Sequence, residues 1–313
     1  MEKIIAVVGA TGAQGRGLIQ AILNDKQGGF RPRAVTRNAA SDKAKELAAQ
    51  GVEVVEANVD DKESLVRAFS GAHGAYCVTF FWEHFSPERE TQQARNLAEA
   101  AKEAGVNHVI WSTLEDTRKW VPLEDDRMPT LHGKYKVPHF DSKGEANPFF
   151  ENSGVPYTLL NTSFYWDNFI YFGLGPQKGP DGKYAITFPL GDKKLPGIAS
   201  ADIGKCAYAI FKGGSTYQGK TIGIAGEHLT GKQMAEGFSR HLDTEVVYND
   251  VPPAVYRSFG FPGADDMGNM FQFKADFESD FCGARNIKTT RELNPELKDF
   301  NTWLKENKTL LKL

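Results

Sequence analysis

Three cysteines in 313 residues, Cys77, Cys206 and Cys282, are too few and too scattered to staple a fold. They read as free thiols of a reducing compartment, which points to the cytoplasm and allows the nucleus. Seven histidines and those cysteines form no close-spaced ligand set, so no metal site is expected. No apolar stretch reaches the roughly 18 residues that a membrane helix needs. The chain enters a strand pattern at Lys3 and shows no charged-then-apolar leader. A basic surplus is also missing. Lys and Arg number 37 against 40 Asp and Glu, a net charge of −3, which argues against direct contact with nucleic acid. Internal repeats and low-complexity tails are absent.

What remains is ordinary globular material: 41% hydrophobic and 25% charged residues, enough for a large core. Strand-like and helix-like segments alternate through the first half. IIAVV (4–8), RAVT (33–36), VEVVEA (52–57), AYCVT (75–79), HVIWS (108–112) and VPYTLLN (155–161) are short and nearly all apolar. Helical patterns lie between them, at 13–24, 42–50, 62–69, 87–104 and from near His139. Such strands indicate an α/β chain with a doubly wound parallel sheet covered on both faces. Gly51, Gly71, Gly105 and Gly154 each follow a helical run, where a left-handed cap suits glycine. After Asn161 the pattern becomes mixed, and YAITFPLGDKKLPG (184–197) reads as a hairpin or an irregular crossing. The expected division is 1–161 for the sheet domain and 162–313 for a smaller mixed α/β lobe, with 201–226 able to return to the sheet.

Between the first strand and helix stands GATGAQG: Gly9, Thr11, Gly12, Ala13, Gln14 and Gly15. Gly9 would make a tight turn, Gly12 would admit a pyrophosphate, and Gly15 would let helix and strand approach. The helix start would then offer free N–H groups and partial positive charge to phosphate. A strand–glycine–helix unit at the head of a β-α-β run is the dinucleotide-binding arrangement of Rossmann-type folds. The end of the second strand separates the cofactors. It reads VTRN, with Arg37 where NAD sites place an acid, and Thr36, Asn38 and Lys43 nearby. A charge-assisted bond to a 2′-phosphate contributes roughly 1.5–3 kcal/mol, so NADP(H) is the expected cofactor. Asn58 and Asp60 could edge an adenine, or Asp60 or Asp61 could cap the next helix. Val78 and Thr79 end the fourth strand, where ligands of open sheets collect.

Taken together, VVGATGAQG, AVTRN, HFDSKGEA, SFYWDN, ASADIG and GFPGADDMGNMF resemble the NmrA-like family of atypical short-chain dehydrogenases, and within it the animal redox-sensor branch. The resemblance spans nearly the whole chain. It implies a Rossmann domain, a smaller C-terminal lobe and bound NADP(H). It also implies cofactor contacts from Gly9 to Gly15, Arg37, Asn58, Thr79, Lys143 and the stretch Ser163, Phe164, Tyr165 and Trp166. The family contains regulators that bind NADP and partner proteins, and more distant reductases of quinones and related compounds.

Short-chain dehydrogenases use YxxxK on one helix with a nearby Ser or Thr. Here Lys143 fits the lysine, but His139 stands four residues earlier, on the same helix face. Ser112 and Thr113 fall where the family hydroxyl would be. An unperturbed histidine side chain changes charge near neutrality, so the candidate replacement acid beside Lys143 is His139; packing or capping after Pro138 is the plain alternative. Tyr135 is a further candidate from the preceding loop. Pro148 should kink or break the helix, with Gly144 relieving the bend. The long segment 114–138 reads as a lid that packs poorly alone and orders with cofactor. The aromatic run FYWDNFIYF (164–172) suits either a cleft wall or core. Two functions follow: an NADP(H)-dependent redox sensor acting through a protein partner or homodimer, or an NADPH-dependent reductase of a small carbonyl or quinone.

Overall fold

The computed structural model describes residues 2–311, which fall into two compact units. The first comprises the chain up to Asp116, His139–Asn161 and Ala201–Ile222. The second comprises Thr117–Pro138, Thr162–Ser200 and the chain from Gly223 onward. The boundary drawn at 161 is therefore crossed in both directions, because 117–138 lies with the second unit and 201–222 with the first.

In the first unit the strands are β1 (Lys3–Val8), β2 (Phe30–Thr36), β3 (Glu53–Glu56), β4 (Gly74–Cys77), β5 (His108–Thr113) and β6 (Tyr157–Asn161). The helices between them are α1 (Ala13–Asn24), α2 (Asp42–Ala49), α3 (Lys62–Phe69), α4 (Pro87–Glu103) and α5 (Pro138–Glu151). The sheet runs β6-β5-β4-β1-β2-β3 with all neighbours parallel, and the strand Lys220–Gly223 extends it beside β6. Every residue of β4 and β5 is buried, as a sheet covered on both faces requires. The chain winds outward from β1 through β2 and β3, then returns to β4 on the other side of β1. That reversal opens a crevice at the carboxyl ends of β1 and β4.

Local chemistry explains the helix limits. Ser41, Asp61 and Ser86 cap α2, α3 and α4 by accepting from backbone amides, and Pro87 opens α4. Gly51, Gly71, Gly105 and Gly154 all adopt positive φ beyond helix ends, as the sequence suggested. Helix α1 meets the helix Ser200–Gly213 backbone to backbone. A Cβ on Gly204 would stand 2.0 Å from the Leu18 nitrogen, and one on Gly17 would stand 2.6 Å from the Ala201 carbonyl oxygen.

Helix α5 corrects one expectation. It does not break at Pro148 but runs to Glu151 as a single helix. Gly144 has a different purpose from the one inferred: a Cβ there would lie 2.4 Å from the Asp116 backbone nitrogen. The glycine lets the chain leaving β5 pass close against the helix.

The second unit holds two three-stranded sheets. One orders Glu227–Thr230, Lys194–Ile198 and Phe164–Tyr165; the other orders Val246–Asp250, Tyr184–Phe188 and Gln177–Lys178. Residues 184–197 are thus a crossing between sheets, not a hairpin. The supposed lid is also built in. Asn269, on the helix Ala264–Asp276, donates to the carbonyls of Pro129 (2.9 Å) and Lys136 (2.6 Å), and Gln272 donates to Arg127 O at 2.7 Å. Thr117, Val121, Met128 and Tyr135 are fully buried, and Trp120 meets Phe273 edge-on. Segment 117–138 is thus packed, not on its own but against the helix Ala264–Asp276.

Candidate cofactor site

The glycine loop leaves β1 with Gly9 at φ +66°, and the Gly12 amide donates to Gly9 O at 2.9 Å, closing a tight turn. Gly15 then begins α1 so close to the turn that its Cβ would lie 2.4 Å from Gly9 O and 2.9 Å from Ala10 Cα. Only glycine fits there. Gly12 and Ala13 are exposed, and α1 starts at Gly12 without a side-chain cap or an acid in its first turn. Unlike α2, α3 and α4, this helix start has no side-chain cap, and an anion is its natural cap.

Gln14 projects from this loop into the sheet. Its Oε1 accepts hydrogen bonds from the Tyr76 hydroxyl of β4 and from Ser112 Oγ of β5, the latter at 2.8 Å. Ser112 is thereby committed to holding the loop. Thr113 is likewise turned inward and donates to Asn147 Oδ1 at 2.7 Å.

Arg37, just past β2, is exposed and pairs with the exposed carboxylate of Glu83. Glu83 ends a single 3-10 turn, Phe81–Glu83, that follows β4. Asn58 makes an Asx turn, its Oδ1 accepting from the Asp60 amide at 3.0 Å. Asp61, of the two candidate caps, is the one that caps α3. Asp60 instead binds Arg89 at 2.6 Å and Gln93 at 2.9 Å. The hydrogen bond from Arg89 holds the Asp60 carboxyl below its ordinary pKa, against a smaller opposing effect of burial.

Lys143 sits on α5 in a buried polar knot. Its Nζ donates to Thr79 Oγ1 at 2.6 Å and lies 3.0 Å from Glu90 Oε1 and 5.1 Å from the centre of the Trp111 ring. Glu90, on α4, is wholly buried and also accepts from Thr79 Oγ1 at 2.7 Å and Ser142 Oγ at 2.6 Å. The carboxylate is thus matched by one cation and two hydroxyls, which a buried charge needs. The knot fixes Lys143 beside the carboxyl end of β4. His139, one turn earlier, is buried against the rings of Trp82 (4.7 Å between centroids), Phe140 (4.8 Å) and Phe81 (5.9 Å).

In the second unit, Phe164 and Trp166 are core side chains. Trp166 packs on Phe300 and Trp303, with Gly197 leaving room for its indole. The Tyr165 hydroxyl lies 3.2 Å from Thr162 Oγ1, and burial pushes its phenol up to about 12. The buried Ser163 hydroxyl makes no hydrogen bond. Of this stretch, the side chains of Phe164 and Trp166 are spent on the core, and the backbone pairs with Gly197 and Ile198, the Trp166 amide donating to Ile198 O at 3.0 Å. Tyr135 is fully buried in the second unit under Arg118 and Lys134.

Within the first unit the structure brings Gly9–Gly15, Thr79 and Lys143 to neighbouring strand ends, with Arg37 at the end of β2. Glu83, Glu90 and Tyr76 were missed in sequence. Glu90 carried one usable signal, an acid on the apolar face of α4 between Pro87 and Ala94; Glu83 carried none.

Known proteins place the chain. The sequence profile of the NmrA-like family matches residues 1–304. An NmrA-like family domain-containing oxidoreductase of Cladobotryum sp is 28% identical, covering 87% of this chain and 84% of its own. Quinone oxidoreductase 2 of Escherichia coli strain K12 is 28% identical over 84% of this chain and 85% of its own. Among solved structures, NmrA, a negative transcriptional regulator crystallised with NADP, superposes with a TM-score of 0.79 at 25% identity, covering 97% of this chain and 95% of that one. A glycine turn on a doubly wound sheet, a lysine on α5 and a family match across almost the whole length agree: the chain belongs to the NmrA-like family.

Proposed function

We propose that this protein binds NADP(H) and acts as a redox sensor, its conformation and its binding of a protein partner or second copy following cofactor occupancy. The uncapped start of α1 and the exposed guanidinium of Arg37 support the cofactor: the first would take the pyrophosphate, the second the 2′-phosphate. NmrA in complex with NADP is a precedent within the family. The observation that carries the sensor reading is the setting of His139. The residue that takes the place of the family tyrosine is packed among three aromatic rings, and Ser112 is occupied by Gln14. Loss of a positioned general acid typically lowers a rate by ~10²–10⁴. Thiols are poor candidates for the redox-responsive element, since burial pushes Cys77 and Cys206 far up and Cys282 up to about 11. The nicotinamide is left as the carrier of redox state.

A reductase is the second reading, favoured by Lys143 standing fixed beside the crevice and by the likeness to a quinone oxidoreductase. Lys143 would then orient the nicotinamide ribose and the substrate oxygen. NADPH oxidation against a panel of quinones and aldehydes separates the two. The sensor reading expects binding without turnover. Turnover that disappears in Lys143→Ala, with that variant shown to be folded, would overturn it.

A further inference from the structure

Arg37 and Arg89 are two exposed guanidiniums with different partners. Arg89 is locked: Asp60 accepts from both its Nε (3.2 Å) and Nη2 (2.6 Å), and Gln93 holds the same carboxylate from the other side. Arg37 has a single ion-pair partner, Glu83, and both groups are substantially exposed, at 59% and 43% of their side-chain surface. An exposed pair of this kind is weak and salt-sensitive. We propose that Glu83 is a specificity-determining residue: a displaceable counter-anion on Arg37 that any 2′-phosphate must evict, and that a plain ribose hydroxyl need not disturb. The inference rests on the reading of Arg37 as the phosphate-binding residue.

Two consequences follow from the position of Glu83. First, it handicaps NADP(H) and leaves NAD(H) alone, so the protein discriminates less than a bare arginine would. Second, Glu83 ends the same short turn whose Phe81 and Trp82 pack on His139. The next residues are held tightly. His84 Nδ1 accepts from the Ser86 amide at 3.0 Å, Phe85 has φ +54°, unusual for a bulky residue, and Ser86 caps α4. Glu83 thus shares one short turn with the two rings that touch His139. The phosphate end of the site is thereby tied to the α5 end through one six-residue segment.

The test is a titration of NADP⁺ and NAD⁺ into the full-length wild type and Glu83→Gln at low and high salt, with Arg37→Ala alongside. Glu83 is on the surface, so the variant should fold normally. Glu83→Gln is expected to bind NADP⁺ roughly threefold tighter at low salt, with NAD⁺ unchanged and the gain shrinking at high salt. NADP⁺, but not NAD⁺, is expected to change the emission of Trp82, assigned by difference against Trp82→Phe. Unaltered NADP⁺ affinity in Glu83→Gln, or equal tightening of both cofactors, would overturn the proposal. Arg37→Ala separates the two levels. If it abolishes the NADP⁺ preference while Glu83→Gln is silent, the role of Glu83 falls and the reading of Arg37 stands. If it leaves the preference intact, both fall.

Discussion

The two cations proposed to meet the cofactor, Lys143 and Arg37, are held in opposite ways. Lys143 lies in the interior with Glu90, Thr79 and Ser142, and every polar group of that knot has a partner. Arg37 stands on the surface with one exposed carboxylate. Removing a partner from a buried pair leaves an uncompensated charge, whereas opening an exposed pair exchanges one solvated contact for another. On the proposed reading, Lys143 stays in place and Arg37 changes partners.

The sharpest way to break the buried side is Glu90→Ala. It should lower unfolding stability by about 3–5 kcal/mol, since the buried Lys143 ammonium would lose its counter-charge and keep only the neutral oxygens of Thr79. Denaturant melts check this, and a loss below about 1 kcal/mol would show that the knot is less closed than its geometry indicates.

Burial governs a second ionisable group at the opposite end of β5. His108 is 2% exposed, and desolvation, with a smaller contribution from His73, pushes its pKa down to about 4. A histidine depressed in the folded state contributes its stability in full above its ordinary value and loses it as pH falls toward the folded one. Between about pH 6.5 and 4 the protein should lose about 3 kcal/mol through this group. His108→Gln, which can keep the contact with Thr158 Oγ1, should flatten that part of the profile. An unchanged slope would exclude His108 as its source.

Backbone crowding gives a test of intermediate size. Gly15→Ala would set a methyl group 2.4 Å from Gly9 O, so the loop must shift. Cofactor affinity should fall by tenfold or more, corresponding to about 1.4 kcal/mol, and thermal stability should fall with it; retained affinity would show that the turn is not the phosphate seat. The smallest effect belongs to the exposed side. Glu83→Gln should alter stability by less than about 1 kcal/mol, and a larger change in melting would mean that this pair is structural.

Much of this architecture was legible from the sequence, because it is local. Short apolar strands, glycine stops after helices and the GATGAQG turn each declare themselves within a few residues. Arg37 and Lys143 were nominated locally too, one by its place after a strand, the other by its match to the lysine of the family motif. Partners were illegible because they come from far along the chain: Gln14 meets Ser112 across 98 residues, Arg37 meets Glu83 across 46, and Asn269 holds Pro129 across 140. For the same reason the packing partner of segment 117–138 was not foreseen, since its charges and prolines look loop-like until the helix that covers it is known. Pro148 was expected to kink or break the helix, and the break does not occur. Its missing amide was weighed as a helix breaker, yet the surrounding contacts of α5, including Asn147 with Trp111 and Thr113, carry the helix past it.

Calorimetric titration of NADP⁺ and NAD⁺ into the wild-type protein and Arg37→Ala tests the central claim most directly. With Arg37 free to exchange Glu83 for a 2′-phosphate, the wild type should prefer NADP⁺ by at least about tenfold, and Arg37→Ala should lose most of that preference. Equal affinities of the wild type for the two cofactors would contradict the account.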